Sequence, residues 1–291
     1  MRTTTRFKAL IAAPEILSMP CAHDALTARI AQQTGFKAVC AGGYGASAAL
    51  LGQPDVGLMT MTEMADHIRR MADCVDIPVF ADGDTGHGNA LNAARTVKSF
   101  EKAGAAGVFI EDQVSPKRCG HMEGKSVVSR QEMLAKIKAA LDARSDPDFV
   151  IMGRTDALAV LGMEEALERG RLMLEAGADM IFVEAPRSRE ELALAARDIP
   201  GPSFTVYLEG GKIPMLPARE FEALGFAAVA FATSALYAAA HAVREALETI
   251  LRTGETRNMQ ARMMDFAEFN EVLGLSALRR KEAAWAGRET S

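Results

Sequence analysis

One sequence pattern recurs along this chain: an amphipathic helical segment, then a glycine, then a short apolar run. The copies are IAQQTGFKAVCAGG (30–43), EKAGAAGVFIED (101–112), LEAGADMIFVEA (174–185) and FEALGFAAVAFAT (221–233). Each places its glycine where a helix C-terminus needs a left-handed residue. These glycines are Gly35, Gly104, Gly177 and Gly225. The runs after them are nearly continuous in apolar residues, which is typical of parallel strands covered on both faces. The recurring pattern therefore predicts a parallel sheet with helices between its strands.

Other apolar runs complete the set of strands. They lie near 17–21, 77–82, 149–154 and 203–208. Capping-box patterns mark helix starts between them. The pairs are Thr60 with Glu63, Ser129 with Glu132, and Ser188 with Glu191. Eight strands alternating with helices predict a (β/α)8 barrel of the TIM type. An open doubly wound sheet is the alternative, but no GxGxxG follows the first strand, and the near-even spacing favours closure.

The length of 291 residues suits a single barrel domain over 1–291, with 235–291 as a helical C-terminal extension. The extension carries apolar residues that need burial: Phe266, Phe269, Val272, Leu273 and Leu275. A partner subunit would bury them, so an oligomer is expected. Packing of the extension on its own barrel is the alternative, and the sequence does not separate the two.

The charge pattern excludes several classes of protein. Net charge is −5, and basic residues are interspersed with acidic ones, so no nucleic-acid partner is expected. No apolar run reaches the ~18 residues that a membrane span needs, and the N-terminal segment predicts no signal peptide. The four cysteines form neither a CxxC motif nor a small disulfide framework. A reducing cytoplasm is the expected location.

Polar residues follow the predicted strands, and in such barrels the chemistry lies at the carboxyl ends of the strands. Asp82 and Asp84 follow the third strand, and Glu111 ends the fourth. These hard oxygen ligands suit Mg²⁺, which keeps several waters and binds through a few carboxylates plus substrate. Zinc is disfavoured because no His/Cys cluster has closed-site spacing. A simple Asp-Gly-Asp turn is the alternative interpretation.

The segment Lys117-Arg118-Cys119-Gly120-His121 follows the fourth strand. It places one thiol among potential cations, which lower a cysteine's pKa and make it reactive. His121 is a candidate for orienting a substrate oxygen or for holding Cys119 as a thiolate, the alternative being an ordinary satisfied polar group. By contrast, the other cysteines are interpreted as small core residues. These are Cys21, Cys40 and Cys74.

Arg154 ends the fifth strand, and its planar guanidinium could bind a substrate carboxylate through two hydrogen bonds. A structural ion pair with Glu184 or Asp156 is the alternative.

With these residues in hand, the chain resembles the isocitrate lyase/phosphoenolpyruvate mutase superfamily from about residue 8 to 275. The motifs that carry the resemblance are GGYGASAALLGQPD (42–55), DGDTGHG (82–88), IEDQ (110–113), KRCGHMEGK (117–125), GRTDA (153–157), VEAP (183–186) and LEGGK (208–212). The KRCGH loop is similar to that of the carbon–carbon lyase branch, and it argues against a phosphonopyruvate mutase. Within the branch, the chain looks most like the compact 2,3-dimethylmalate lyase, methylisocitrate lyase and petal-death-protein group.

The resemblance implies a Mg²⁺-dependent lyase, with Mn²⁺ as an alternative ion, that cleaves a substituted 2-hydroxy di- or tricarboxylate into a 2-oxo acid and a carboxylate. Metal ligands would be Asp82, Asp84 and Glu111. Catalytic residues would be Cys119, His121, Arg154 and Glu184. Substrate-binding residues would be Gly42, Gly43, Tyr44, Asp55, Lys117, Gly120 and Arg154. Cys119 would protonate the aci-carboxylate formed on cleavage, on a loop that acts as a lid. A homotetramer with exchanged C-terminal helices is also implied.

One departure from the family pattern concerns the substrate. Relatives often carry Asn where this chain has Val206. Loss of an amide donor weakens a carboxylate contact, so the departure bears on which acid is cleaved. Hydrolysis of oxaloacetate to oxalate and acetate on the same site is an alternative activity, and a binding barrel without catalysis is another.

Overall fold

The computed structural model describes residues 1–287. Its internal contacts divide the chain into two compact units, residues 1–235 and residues from 236 onward. The first unit contains eight strands, all parallel. They are β1 (Leu17–Pro20), β2 (Val39–Ala41), β3 (Val79–Asp82), β4 (Gly107–Glu111), β5 (Val150–Thr155), β6 (Met180–Val183), β7 (Ser203–Tyr207) and β8 (Ala228–Phe231).

The strands follow one another around a barrel. Their order is β1-β8-β7-β6-β5-β4-β3-β2, so each strand pairs with its neighbour in sequence and β1 pairs with β8. The first and second strands meet through one parallel bridge between Cys21 and Cys40. The Ala22 N–H donates to the Cys40 carbonyl at 2.9 Å at this closure. The predicted (β/α)8 barrel is confirmed, and the open sheet is excluded.

One helix, α1 (Thr3–Ile11), precedes the first strand, and further helices connect the strands. These are α2 (Ala25–Thr34), α3 (Gly43–Ala46), α4 (Met61–Ala72), α5 (Ala90–Lys102), α6 (Arg130–Ala143), α7 (Ala157–Leu161), α8 (Met163–Glu175), α9 (Arg189–Arg197) and α10 (Ala218–Leu224), with a π-helical turn, Ser47–Leu51, after α3. The four glycines predicted as left-handed have φ between 92° and 110°. The Thr60 capping box is complete, whereas Ser129 and Ser188 cap their helices through the side chain alone.

An aromatic core fills the barrel below its mouth. Phe7 of α1 stacks on Phe80 with ring centroids 5.0 Å apart, and Phe182 meets Phe204 edge-on at the same distance. Phe109 lies 6.1 Å from Phe80 and 6.4 Å from Phe182. Because these rings occupy the interior, the space for a ligand is confined to the carboxyl ends of the strands.

The second unit is helical, as the sequence predicts. Its elements are α11 (Ser234–Thr253, which begins at the end of the first unit), a 3-10 helix (Arg257–Arg262), α12 (Phe266–Val272) and α13 (Leu275–Trp285). Neither α12 nor α13 contains a buried residue. Leu251 is 90% exposed, Phe266 87% and Trp285 83%. In the single chain, therefore, large apolar side chains of this unit face solvent. No helix within residues 1–287 has both the length and the apolar character needed to cross a bilayer.

Candidate active site

A cavity that is partly open to solvent lies at the mouth of the barrel. Most of the residues predicted for the site line it. They are Gly42, Gly43, Tyr44, Asp55, Asp82, Lys117, Cys119, Gly120, His121, Arg154 and Glu184. Asp84 and Glu111 are not part of the lining but are buried. Strands far apart in sequence thus deliver carboxylates, cations and a thiol to one place, as barrel closure requires.

The Asp82-Gly83-Asp84 segment combines a tight turn with a carboxylate site. Asp82 Oδ2 accepts the Gly43 N–H at 2.8 Å, and Asp82 Oδ1 accepts the Asp84 N–H at 2.9 Å. Gly83 has no space for a side chain, because a Cβ there would lie 2.6 Å from the Phe109 carbonyl oxygen. The sequence thus places glycine where the turn after the third strand lies against the backbone of the fourth. The Gly43 amide, expected to hold substrate, is engaged by Asp82 in this structure.

Lys117 lies among the carboxylates. Its Nζ is 2.7 Å from Asp55 Oδ1 and 2.6 Å from Asp84 Oδ1. Burial alone would lower the pKa of Lys117, but Asp84, Asp82 and Asp55 outweigh it and hold the pKa well above its ordinary value. Burial raises the pKa of Asp84 to about 7, even though Lys117 acts in the opposite direction. Lys117 is therefore a fixed cation that neutralises part of a desolvated acidic cluster.

Arg154 forms the second charge centre. Its Nε lies 3.0 Å from Asp156 Oδ2 and 3.2 Å from Glu111 Oε2, and its Nη2 lies 3.3 Å from Glu184 Oε2. The guanidinium also lies over the Phe182 ring, 5.2 Å from the centroid. Burial raises the pKa of Glu111, with Arg154 opposing the shift. The ion pairs weighed as an alternative for Arg154 are present, and they hold its planar group at the cavity wall.

The predicted metal ligands have other partners in this structure. Asp82 accepts backbone amides, Asp84 lies against Lys117, and Glu111 lies against Arg154. Within residues 1–287, no three His, Cys, Asp or Glu side chains are arranged to hold a metal ion. Yet Asp84 Oδ1 and Glu111 Oε1 are buried without a hydrogen-bond partner, since the Lys117 contact has ion-pair distance but not hydrogen-bond geometry. These oxygens fit a hydrated divalent cation, because Mg²⁺ needs only one or two protein carboxylates when waters and substrate complete its shell.

Cys119 lies on a loop, residues 114–127, whose ends are joined by an antiparallel bridge between Gln113 and Val127. The Gln113 side-chain amide donates to the Arg118 carbonyl at 2.9 Å and accepts the Arg118 N–H at 3.1 Å. The Cys119 N–H donates to the Asp55 carbonyl at 3.1 Å. These contacts fix the backbone on both sides of the thiol.

The predicted lowering of the Cys119 pKa is wrong. Burial raises the pKa of Cys119 to about 11, although the His121 backbone N–H, which hydrogen-bonds the sulfur, acts in the opposite direction. The cations beside it in sequence point elsewhere: Lys117 to Asp55 and Asp84, and Arg118 to the Glu123 carbonyl. At neutral pH the sulfur therefore keeps its proton.

His121 is oriented by two fixed partners. Its Nδ1 accepts the Lys212 backbone N–H at 3.0 Å, so the ring proton of this tautomer lies on Nε2. Nε2 lies 3.2 Å from Glu184 Oε1, within ion-pair distance but outside hydrogen-bond geometry. Despite its burial, the pKa of Glu184 is held below its ordinary value by Arg154 and His121. The ring is thus engaged with Glu184 rather than with Cys119.

Several residues of this site could not be identified from the sequence. Lys125 and Asp156 contact each other at 2.7 Å beside Arg154, and Gln113 holds the loop. Lysine and aspartate stand within the KRCGHMEGK and GRTDA motifs, but only the fold brings them together. Apolar side chains form one wall of the cavity. They are Phe182, Phe204, Val206, Leu208, Ala230 and Ala232. Cys21 and Cys40, interpreted as core residues, also line the cavity; Cys40 is buried and Cys21 half-buried.

A (β/α)8 barrel with buried carboxylates, a clamped guanidinium and a protonated thiol at its mouth defines a class of enzyme that handles small carboxylic acids. The chain belongs to the phosphoenolpyruvate phosphomutase family, whose pattern matches residues 7–251. It is 45% identical to 2,3-dimethylmalate lyase of Eubacterium barkeri over 98% of this chain and 99% of that protein. Through these relatives, the chain is a carbon–carbon lyase of the isocitrate lyase/phosphoenolpyruvate mutase superfamily.

Solved structures agree with this placement. Oxaloacetate acetylhydrolase in complex with 3,3-difluorooxalacetate superposes with a TM-score of 0.93 at 35% identity, covering 99% of this chain and 98% of that one. Phosphonopyruvate hydrolase in complex with oxalate and Mg²⁺ superposes with a TM-score of 0.88 at 33% identity, covering 97% and 99%. The barrel thus supports more than one reaction of small oxo acids within the superfamily.

Proposed function

We propose that this enzyme is a Mg²⁺-dependent lyase that cleaves a substituted, malate-like 2-hydroxy acid into a 2-oxo acid and a carboxylate. Substrates of this kind are 2,3-dimethylmalate and 2-methylisocitrate, and the oxo acid released would be pyruvate or, from related substrates, glyoxylate. The observation that carries the proposal is the position of Cys119. Its thiol, with a pKa of about 11, lines the same cavity as Arg154, Glu184, Asp55 and Asp82.

The oxo-acid half of the substrate would bind between the first turn of α3 and Arg154. Gly42, Gly43 and Tyr44 line the cavity there, and the Gly43 N–H, which donates to Asp82 Oδ2 in this structure, would exchange that partner for the substrate carboxylate. Arg154 supplies a planar donor group, and its position is fixed by Glu111, Asp156 and Glu184. This arrangement would hold the carboxylate at the cavity wall.

Mg²⁺ would be held by Asp84 and Glu111, each of which has one buried oxygen without a hydrogen bond, with Asp82 beside them. When bound, the ion stabilises negative charge that develops on substrate oxygens. Lys117 supplies a further fixed positive charge between Asp55 and Asp84.

Cleavage then follows a redox-neutral course. A base in the cavity takes the proton of the substrate's 2-hydroxyl, and the O–H electron pair forms the C=O of the oxo acid. The electron pair of the broken carbon–carbon bond moves into the second fragment as an aci-carboxylate. The S–H of Cys119 donates its proton to that carbon, and the sulfur recovers a proton before the next turnover. A thiol held protonated by burial is suited to this step, whereas a thiolate would be suited to nucleophilic attack.

The apolar wall favours an alkyl-bearing substrate. Val206 stands where relatives often have Asn, and Leu208, Ala230 and Ala232 extend the wall around it. Burying a methyl group against such a surface gains ~1 kcal/mol, whereas an unpaired polar group there is penalised. A malate with methyl substituents matches this wall better than an unsubstituted acid does.

Hydrolysis of oxaloacetate to oxalate and acetate is the second candidate. The observation in its favour is the superposition with oxaloacetate acetylhydrolase over nearly the whole chain. The apolar wall weighs against it, because that reaction must place a water molecule at the reacting carbonyl.

We also propose that the enzyme is a homotetramer in which C-terminal helices are exchanged between subunits. The support is the solvent-facing apolar surface of α11 to α13, including Leu251, Phe266 and Trp285. Exposure on this scale marks an interface in most proteins.

The deciding assay measures release of 2-oxo acid with and without Mg²⁺, coupled to NADH oxidation, across a panel of 2-hydroxy di- and tricarboxylates. Mg²⁺-dependent pyruvate from 2,3-dimethylmalate or 2-methylisocitrate supports the lyase and names the substrate. Oxalate from oxaloacetate, without oxo acid from the panel, supports the hydrolase. If no acid reacts and no oxo acid binds, the proposal is wrong and the barrel is a binding protein.

A further inference from the structure

The loop that carries Cys119 has a second buried cation besides Lys117, namely Lys125. Its side chain is 2% exposed, although the residues on either side of it in sequence are exposed. The ammonium donates to the Gly120 carbonyl, next to Cys119, and lies 2.7 Å from Asp156 Oδ1. One lysine therefore joins the backbone at the reactive thiol to a carboxylate at the end of β5.

Asp156 has a partner on each carboxylate oxygen. Oδ1 lies 2.7 Å from Lys125 Nζ and also accepts from Arg154 Nη2 at 3.4 Å, and Oδ2 accepts from Arg154 Nε at 3.0 Å. The Asp156 backbone is also fixed, since its N–H donates to Asp112 Oδ1 at 2.9 Å. With 0% exposure, the Asp156 side chain has no contact with water that could replace either cation. Movement of the loop away from the barrel would leave a buried carboxylate with Arg154 as its remaining counter-charge, which is costly.

At Gly120 the loop backbone packs directly against Glu184, which is in contact with Arg154. A Cβ on Gly120 would lie 2.3 Å from Glu184 Cδ, so the loop and the Glu184 carboxylate are in close contact. Arg154 Nη2 lies 3.3 Å from the same carboxylate. Displacement of Gly120 would thus disturb Glu184 and Arg154 together.

We propose that Lys125 and Asp156 are positioning residues, and that their ion pair holds the Cys119 loop closed and couples that closure to the orientation of Arg154. The coupling follows from the sharing of one carboxylate. Lys125 and Arg154 share Oδ1 of Asp156, and Arg154 Nη2 also lies 3.3 Å from Glu184. Without Lys125, Arg154 is the remaining counter-charge of Asp156, so its guanidinium is drawn toward Asp156 and away from Glu184. The catalytic part of this inference rests on the proposed lyase activity, but loop closure does not.

Closure is tested without substrate. Cys119 alkylation by N-ethylmaleimide is followed by peptide mass spectrometry in the wild type, Lys125→Met and Lys125→Arg. Removing one partner of a buried ion pair is expected to open the loop and accelerate Cys119 alkylation at least about tenfold. Lys125→Arg, which keeps the charge, should remain within about threefold of the wild type. Lys136→Met is the matched control, because Lys136 is also buried (3% exposed) beside a carboxylate, Glu132, but lies on α6.

Coupling is tested with Asp156→Asn and the double variant. If the two residues act as one unit, the double variant should alkylate no faster than the faster single variant. For the active enzyme, Lys125→Met should lower kcat more than it raises KM, with recovery in Lys125→Arg. A Lys125→Met variant that folds and is alkylated at the wild-type rate overturns the proposal; should it fail to fold, Lys125→Gln is judged by the same criterion. Because alkylation needs no substrate, failure of the lyase assignment would leave this result standing.

Discussion

The ammonium of Lys117 lies 2.6 Å from Oδ1 of Asp84, so a protein cation already occupies the acidic cluster that would bind Mg²⁺. The same Nζ lies 2.7 Å from Asp55 Oδ1. A divalent ion entering the cluster is repelled by this ammonium and attracted by the carboxylates. The affinity for metal is therefore set by the balance between Lys117 and its neighbours.

Removal of that charge should strengthen metal binding. In Lys117→Met, the Kd for Mg²⁺ should fall by about tenfold, since like-charge repulsion is removed from a partly desolvated site. Isothermal titration calorimetry measures this without substrate, and Lys136→Met serves as the control. An unchanged or weaker Kd in a folded Lys117→Met variant would show that Mg²⁺ does not bind beside Asp84.

The contact between Gly120 and Glu184 predicts a sensitive position. Gly120→Ala would put a methyl group 2.3 Å from Glu184 Cδ, so the loop cannot seat as it does here. Turnover should fall by about 10²-fold, a typical cost of displacing a catalytic group by about 1 Å. Thermal stability should change little, because the loop is outside the barrel core. Ser126→Ala, on an exposed part of the same loop, is the control and should keep wild-type turnover. Normal activity in Gly120→Ala would contradict the close contact between Gly120 and Glu184.

The pH dependence of Cys119 reactivity should reflect its burial. A cysteine with the ordinary pKa of 9.0 approaches maximal alkylation above pH 9, but Cys119, with a pKa of about 11, should gain reactivity up to about pH 11. The pKa is raised because desolvation favours the neutral thiol, so the sulfur stays protonated up to a higher pH than an exposed cysteine does. Alkylation of the Cys119 peptide between pH 7 and 11, compared with a short unfolded cysteine peptide, measures the shift. A plateau at or below pH 8 would instead indicate the thiolate that the sequence alone predicts.

The exposed face of the C-terminal helices predicts the assembly. Light scattering after gel filtration should give a mass of four chains at micromolar concentration. Replacement of Leu251 and Phe266 together by Glu should shift the mass toward smaller species, since both side chains face solvent in the single chain. Circular dichroism should remain unchanged. A monomeric wild-type enzyme would contradict the proposed tetramer.

Much of the fold could be predicted because its signals are local. The left-handed glycines, the continuous apolar strands and the Thr60 capping box each depend on neighbours in sequence, and all are present. Many of the polar residues that line the cavity could also be predicted, since strand ends of a closed barrel must converge, but its apolar wall could not.

The electrostatics of the site could not be predicted in the same way. Lys117 and Arg118 neighbour Cys119 in sequence, but their charged groups face other partners, and burial dominates the pKa of the thiol. Asp156 pairs with Lys125, which lies 31 residues earlier in the chain, and the two meet only when the loop packs against the end of the barrel. The direction of a side chain and its desolvation depend on residues that only the folded barrel brings together, so neighbours in sequence do not predict them.

The central claim is that Cys119 is the proton donor of a Mg²⁺-dependent carbon–carbon cleavage. The most direct measurement is pyruvate release from 2,3-dimethylmalate by wild type, Cys119→Ala and Cys119→Ser, with Cys74→Ser as the control cysteine on the outer face of the barrel. Loss of the acid should lower kcat by at least about 10³-fold, while folding and oxalate binding stay intact. Near-normal turnover by either Cys119 variant would contradict the account.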